Sequence, residues 1–301
     1  MQSGGRARDF ALAALGAFCF GLTIVFNRAA ARDGLGAATT LSIRFAIAGL
    51  LLVAVLGLLR RPLLPPRGER ARVAILGCGL YAIEATFFFM ALERGTAAAV
   101  ALLFYTYPVV VTLAEAALGW MRLRNVTIVA LVLAVGGGAV GAAGGGPVSI
   151  TSGGILCVFG SVSSFSTYVI ASDRLLVMTD SLTAAAWTAL GGSLGVFGSG
   201  VVQGTLVRPG AGQLVSLTAN AAATAAAFTL FFVVLGRLGP SRTAIVMALE
   251  AVAGIALSAV FLDESVQPVV ALGGTAVLAG AIMAAASSPQ SVEQIESAST
   301  P

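Results

Sequence analysis

Two residue types are missing from this chain and several are scarce. The 301 residues include no histidine and no lysine, three cysteines, and only 10% charged residues. Without histidine there is no Ser-His intramembrane proteolysis, no His-ligated metal site and no histidine proton relay. Cys19, Cys78 and Cys157 lie inside apolar runs at spacings that fit neither a metal motif nor a disulfide framework. They read as small buried hydrophobes. There is no P-loop either. The triple glycines at Gly136 and Gly144 are packing and turn signals, so ATP is not expected to drive this protein directly.

What is abundant is apolar. Hydrophobic residues make up 58% of the chain, against about 45–50% apolar and about 25% charged residues in a soluble domain. So few charges cannot cover a water-exposed surface, which leaves lipid as the solvent for most of it. Spanning a hydrocarbon core takes roughly 20 residues of helix. Cutting the chain at charges, prolines and glycine clusters yields ten such segments: 10–27, 39–59, 73–92, 97–120, 126–143, 153–171, 181–202, 213–236, 241–262 and 268–286. The first lacks a small-residue cleavage site and reads as a retained helix. The fold class is therefore an all-α membrane protein with ten transmembrane helices, followed by a disordered polar tail over 289–301.

Arginine placement orients the bundle. Of the 17 arginines, twelve fall on the side of the N-terminus, four (Arg28, Arg32, Arg94 and Arg208) on the other, and Arg44 within helix 2. The positive-inside rule then places both termini in the cytoplasm of a multi-pass inner (cytoplasmic) membrane protein.

An internal repeat follows. The stretch from Ala91, ALERGTAAAVALLFYTYP, aligns with VLGRLGPSRTAIVMALEA from Val234, at an offset of 143 residues. Leu92 falls on Leu235, Arg94 on Arg237, and Tyr107-Pro108 on Glu250-Ala251. Each repeat then holds five helices, residues 1–146 and 147–288. An odd number forces the second to enter from the opposite face, giving inverted repeats with a substrate site near the midplane between them.

On these residues the chain resembles the drug/metabolite transporter superfamily, in its ten-helix EamA-type branch. The resemblance rests on Ala91 to Ala98 with Pro108 downstream, on Leu235 to Ser241 with Glu250, and on Asp263-Glu264 at a helix end. Phe104-Tyr105-Thr106-Tyr107-Pro108 is similar to the aromatic-proline segment of YddG-type amino acid exporters, in which aromatics of helices 3 and 4 line a central cavity. Glu84 and Phe88 occupy helix 3 positions where some relatives carry tyrosines. The resemblance implies a secondary transporter exporting amino acids or related small metabolites by alternating access.

Several residues stand out on their own chemistry. Glu84 lies about 16 Å into helix 3, where a carboxyl is costly and marks a pathway or proton site. Tyr81, Glu84 and Phe88, spaced i, i+3, i+7, share one face. Glu250 is at mid-depth in helix 9. Two carboxyls at depth suit a cationic or zwitterionic cargo. Tyr105 and Tyr107 sit at mid-depth in helix 4, able to meet an ammonium through their ring faces. Pro108 there removes a backbone hydrogen bond and reads as a hinge. Helix 6 carries a run of hydroxyls that includes Ser164 and Tyr168. Arg44 is set either to pair with a carboxylate or to snorkel to the interface. The expected substrate-binding set is Tyr81, Glu84, Phe88, Tyr105, Tyr107, Ser164, Tyr168 and Glu250, with no cofactor, no metal and no nucleic acid, and with lipid and a small molecule as partners. An intramembrane enzyme would need a base, a nucleophile or paired metal ligands, which this sequence does not offer. The alternative cargoes on such a scaffold are lipophilic cations and other drugs, or nucleotide sugars. The last are anionic and would call for deeper basic groups than Arg44.

Overall fold

The computed structural model describes residues 2–144, 149–262 and 267–286. The expected tail and the Asp263-Glu264 pair lie outside the described residues. Among the described residues there are ten helical passes: α1 (Gln2–Arg32), α2 (Ala37–Leu58), α3 (Arg70–Leu92), α4 in two segments (Ala97–Phe104 and Tyr107–Ala117), α5 (Asn125–Gly144), α6 (Ser152–Leu175), α7 (Ser181–Gln203), α8 (Ala211–Leu238), α9 in two segments (Pro240–Met247 and Leu249–Leu262) and α10 (Pro268–Ala286). Eight passes are long and apolar enough to cross a membrane, and α5 and α10 are shorter apolar helices. Large apolar side chains such as Leu50, Phe159, Leu194 and Leu272 point outward, as they do when the outer solvent is lipid.

Small residues set the packing distances. A Cβ at Gly273 in α10 would fall 2.5 Å from the Gly137 carbonyl oxygen in α5, so these two helices touch backbone to backbone. The same chemistry joins α3 to α7, where a Cβ at Gly191 would fall 2.7 Å from the Cys78 nitrogen. Side-chain caps start several helices. Thr96 accepts from the Ala99 amide at the head of α4, Thr151 from Gly154 at α6, and Asp180 from Leu182 and Thr183 at α7.

Three passes are not regular. The wide turns of a π-helix occupy Ile75–Tyr81 in α3, a form that recurs at functional sites. In α4 the interruption falls on Tyr105 and Thr106, so Pro108 lies in the first turn of the second segment and not at the centre of the bend. With no amide hydrogen, Pro108 gives Phe104 no partner. The α9 interruption is at Ala248, with no proline near it. The two interruptions lie 248 − 105 = 143 residues apart, equal to the sequence offset.

The two halves of the chain meet differently at their two faces. On the N-terminal face the second segment of α4 packs against the first segment of α9. Toward the other face the first segment of α4 packs on α3, α5 and α6, and the second segment of α9 on α1 and α10.

Candidate functional site

The broken helices surround a buried centre built from aromatic rings. Tyr81, at the end of the π-helical turns, packs on Phe45 of α2 (5.5 Å between ring centroids), Tyr168 of α6 (5.3 Å) and Phe228 of α8 (5.4 Å). Phe88 meets Phe104 edge-on at 5.1 Å, and Phe104 meets both Tyr107 and Phe165. Phe165 stacks on Tyr168, which closes the web back to Tyr81. Each contact of this kind contributes about 0.5–1.5 kcal/mol beyond area burial. The rings fill the space between the passes.

Polar groups are threaded through the rings. Glu84 is buried, and its Oε1 accepts from the Ser161 hydroxyl at 3.2 Å. Half-buried Glu250 starts the second segment of α9. Glu84 and Glu250 lie within electrostatic reach of each other and of Arg44, and Glu250 also acts on Tyr81, Tyr105 and Tyr107. The Tyr107 hydroxyl donates to the Ala244 carbonyl at 3.1 Å, tying one broken helix to the other. Tyr168 donates to Thr188 at 3.2 Å. Tyr105 is half-buried beside Gly138 of α5, and Ser164 is half-buried on α6. Seven of the eight sequence-derived positions thus belong to one connected cluster through ring, hydrogen-bond or charge contacts. Ser164 is placed near it only by its helix.

Two open cavities lie along α3. One, of about 290 Å³, is lined by Ala37 and Ala38 of α2, Thr86, Phe89 and Glu93 at the far end of α3, and Gln203 of α7. The other, of about 370 Å³, lies between α3 and α7 and is lined by Cys78, Thr86, Phe87, Met90 and Gly195. They share Thr86, and none of the eight sequence-derived positions lines either of them.

That N-terminal face is tied shut by two carboxylates the sequence did not single out. Glu115, near the end of α4, is 6% exposed. It accepts from the Ser241 amide at 2.9 Å and from the Ser241 hydroxyl, capping the first turn of α9 from outside the helix. Arg174 of α6 stands 3.9 Å from the same carboxylate and lies over the Trp120 ring at 4.2 Å. Glu69, just ahead of α3, accepts from the Met178 amide at 2.9 Å and from the Thr179 hydroxyl in the α6–α7 loop. Burial alone would raise the Glu69 carboxyl. The hydrogen bonds from Thr179 and Met178 and the nearby Arg72 outweigh it, and the net displacement is downward. Neither residue carries a motif. The only signal available for Glu115 was an acidic residue inside an otherwise apolar span.

Apolar passes, three of them irregular, packed around a buried aromatic and carboxylate centre make the build of a membrane permease. The chain belongs to the EamA-like transporter family, which matches it twice, over residues 10–140 and 152–286. It is a multi-pass membrane permease of the drug/metabolite transporter type. Among solved structures, 29 chains match. One of these, a crystal structure with 18% sequence identity, superposes with a TM-score of 0.74 over 91% of this chain and 98% of its own, a likeness of fold. No curated protein matches it in a sequence search.

Proposed function

We propose that this permease moves amino acids or related small zwitterions out of the cytoplasm across the inner membrane, by alternating access between two inverted five-helix repeats. The observation that carries this reading is the pairing of buried Glu84 with half-buried Glu250, both within electrostatic reach of Arg44, beside Tyr81, Tyr105, Tyr107 and Tyr168. Ionisable groups at that depth are expensive in a bilayer and are retained where a charged or polar cargo passes. Carboxyls answer an ammonium group, and ring faces add to that attraction. The repeat reading, 1–146 and 147–288, is supported by the double family match and by helix interruptions 143 residues apart. The arginine distribution supports cytoplasmic termini.

The arrangement suits a cycle in which the N-terminal face is closed through Glu115 and Ser241 while the opposite side gives access beside α3 and α7. Pro108 then serves as the joint of α4. The same carboxyls and rings also fit a lipophilic cation, which is the second reading. Efflux from vesicles loaded with a panel of amino acids, with and without a pH gradient, tests the proposal. Efflux of at least one amino acid, lost in Glu84→Ala and Tyr107→Ala, is the expected result. Efflux of cationic dyes alone would favour the second reading, and unchanged efflux in both variants would remove the site assignment.

A further inference from the structure

Arg44 is 7% exposed, and its polar partners are few. Its Nη1 donates to Asn27 Oδ1 at 3.3 Å, while its buried Nε has no partner. Asn27 Oδ1 also accepts from Asn220 Nδ2 at 2.9 Å. With that oxygen used twice, the Nδ2 of Asn27 is directed to the other side of its amide. Asn220 is 1% exposed, and its Oδ1 is likewise buried without a partner. One turn from Arg44 on the same face of α2, the Thr40 hydroxyl is buried and unpartnered too. Three helices, α1, α2 and α8, therefore converge on a spot holding an unanswered donor and an unanswered acceptor. Groups left this way are costly and rare in a finished structure.

The deficits are complementary to a particular kind of ligand. A guanidinium edge with a free Nε–H is the planar fork that carboxylates fit. A free amide oxygen beside it wants an N–H donor. An α-amino acid head presents both groups about 3 Å apart, at the hydrogen-bond spacing of such sites. The Arg44 guanidinium lies 4.6 Å over the Phe45 ring, which packs on Tyr81, so the spot borders the ring-walled centre.

We propose that Arg44, Asn27 and Asn220 form a carboxylate-binding subsite of the central chamber, with Arg44 Nε–H and Asn27 Nδ2 holding the substrate carboxylate and Asn220 Oδ1 accepting from the adjacent ammonium. This rests on the amino-acid reading above, and it adds the half of the recognition that the two glutamates do not supply. The competing role for Arg44 is that of a plain countercharge to Glu84 and Glu250.

Binding to the purified full chain separates the two. The probes are the standard L-amino acids, their decarboxylated amines, and the matched monocarboxylic acids without an amino group. The wild-type protein is expected to bind an amino acid at least ~10-fold more tightly than its amine. Arg44→Lys keeps the positive charge but loses the fork, and should bring that preference to within ~3-fold. Asn220→Ala should weaken amino acids more than it weakens the monocarboxylates, a second reading of the subsite that does not depend on how well the Arg44→Lys variant folds. Preference retained in Arg44→Lys makes Arg44 a countercharge and overturns the subsite. If the wild-type protein binds monocarboxylates but no amino acid, and Arg44→Lys abolishes this, the subsite stands and the amino-acid reading falls. A wild-type protein that binds neither carboxylate class overturns the subsite as well.

Discussion

Replacing Glu115 by alanine removes the acceptor shared by the Ser241 amide and hydroxyl across the α4–α9 contact. Ser241 is buried, so while the face stays closed its amide is left without a partner and its hydroxyl with only the weak acceptor Met121 Sδ. A buried donor stranded in this way costs about 1–3 kcal/mol, and loss of a helix-capping oxygen about 0.5–2 kcal/mol. These overlap, and about 2–4 kcal/mol is a fair sum for the pair. When the N-terminal face opens, water reaches Ser241, so the cost falls on the closed form. The opening equilibrium should then shift by roughly 30- to 1000-fold, at 1.4 kcal/mol per factor of ten. Thr112, one turn inward on α4 and fully buried, reports on this. With Cys19, Cys78 and Cys157 replaced by alanine, Thr112→Cys should react with a membrane-impermeant maleimide slowly in the parent. In the Glu115→Ala variant it should react at least ~10-fold faster from the N-terminal side, if opening limits the rate. Glu115→Gln keeps one acceptor and should fall between the two. A Glu115→Ala protein that melts like its parent and labels at the parental rate would show that this contact does not hold the face shut.

Glu69 gives a pH dependence of definite sign. Its carboxyl sits below the ordinary value of 4.5 in the folded chain, so it binds fewer protons than when unfolded. Its contribution is complete above about pH 4.5 and drains away as pH falls through the lowered folded value. The melting-temperature gap between parent and Glu69→Gln should be flat from pH 8 to pH 5 and narrow below that, in a detergent-solubilised thermal scan. Gly273→Ala forces a methyl against the Gly137 carbonyl and should destabilise by about 1–3 kcal/mol, whereas Gly136→Ala meets open space and should be neutral or better. Paired melting curves check both. Tyr107→Phe removes the donor to the Ala244 carbonyl and keeps the ring packing, so it should cost about 0.5–1.5 kcal/mol in the same scan. In vesicle efflux, Glu84→Gln should lower transport of amines more than Tyr107→Phe does.

The helices were legible because apolar length is written directly in sequence; Glu84, Tyr107 and Glu250 stood out as polar residues inside apolar spans, and the fold brings them near one another. The irregularities were legible only where a residue type enforces them. Pro108 announced the break in α4, displaced by two to three residues. The π-helical turns of α3 and the break at Ala248 have no comparable marker. There the backbone yields to packing, as at Gly77, Cys78 and Gly191 where α3 and α7 press together. Glu115 and Glu69 escaped notice for a related reason. Each acts on a helix or loop more than a hundred residues away, Ser241 and Thr179 respectively, and local periodicity holds no trace of such a partner. Asn27 and Asn220 look ordinary singly. Their meaning comes from meeting Arg44.

The two interrupted helices differ in one mechanical respect. In α4 the break is permanent, because the imino nitrogen of Pro108 can never complete the missing rung. In α9 every residue from Met247 to Glu250 has an amide hydrogen, and only the neighbours around Ala248 keep the helix divided. The first is a joint that stays unbonded through any motion, the second one that can be spliced and parted again. Motion that leaves α4 bent while α9 straightens would carry Glu250 around its helix axis, turning a carboxylate toward or away from the cargo without moving the rings that wall it.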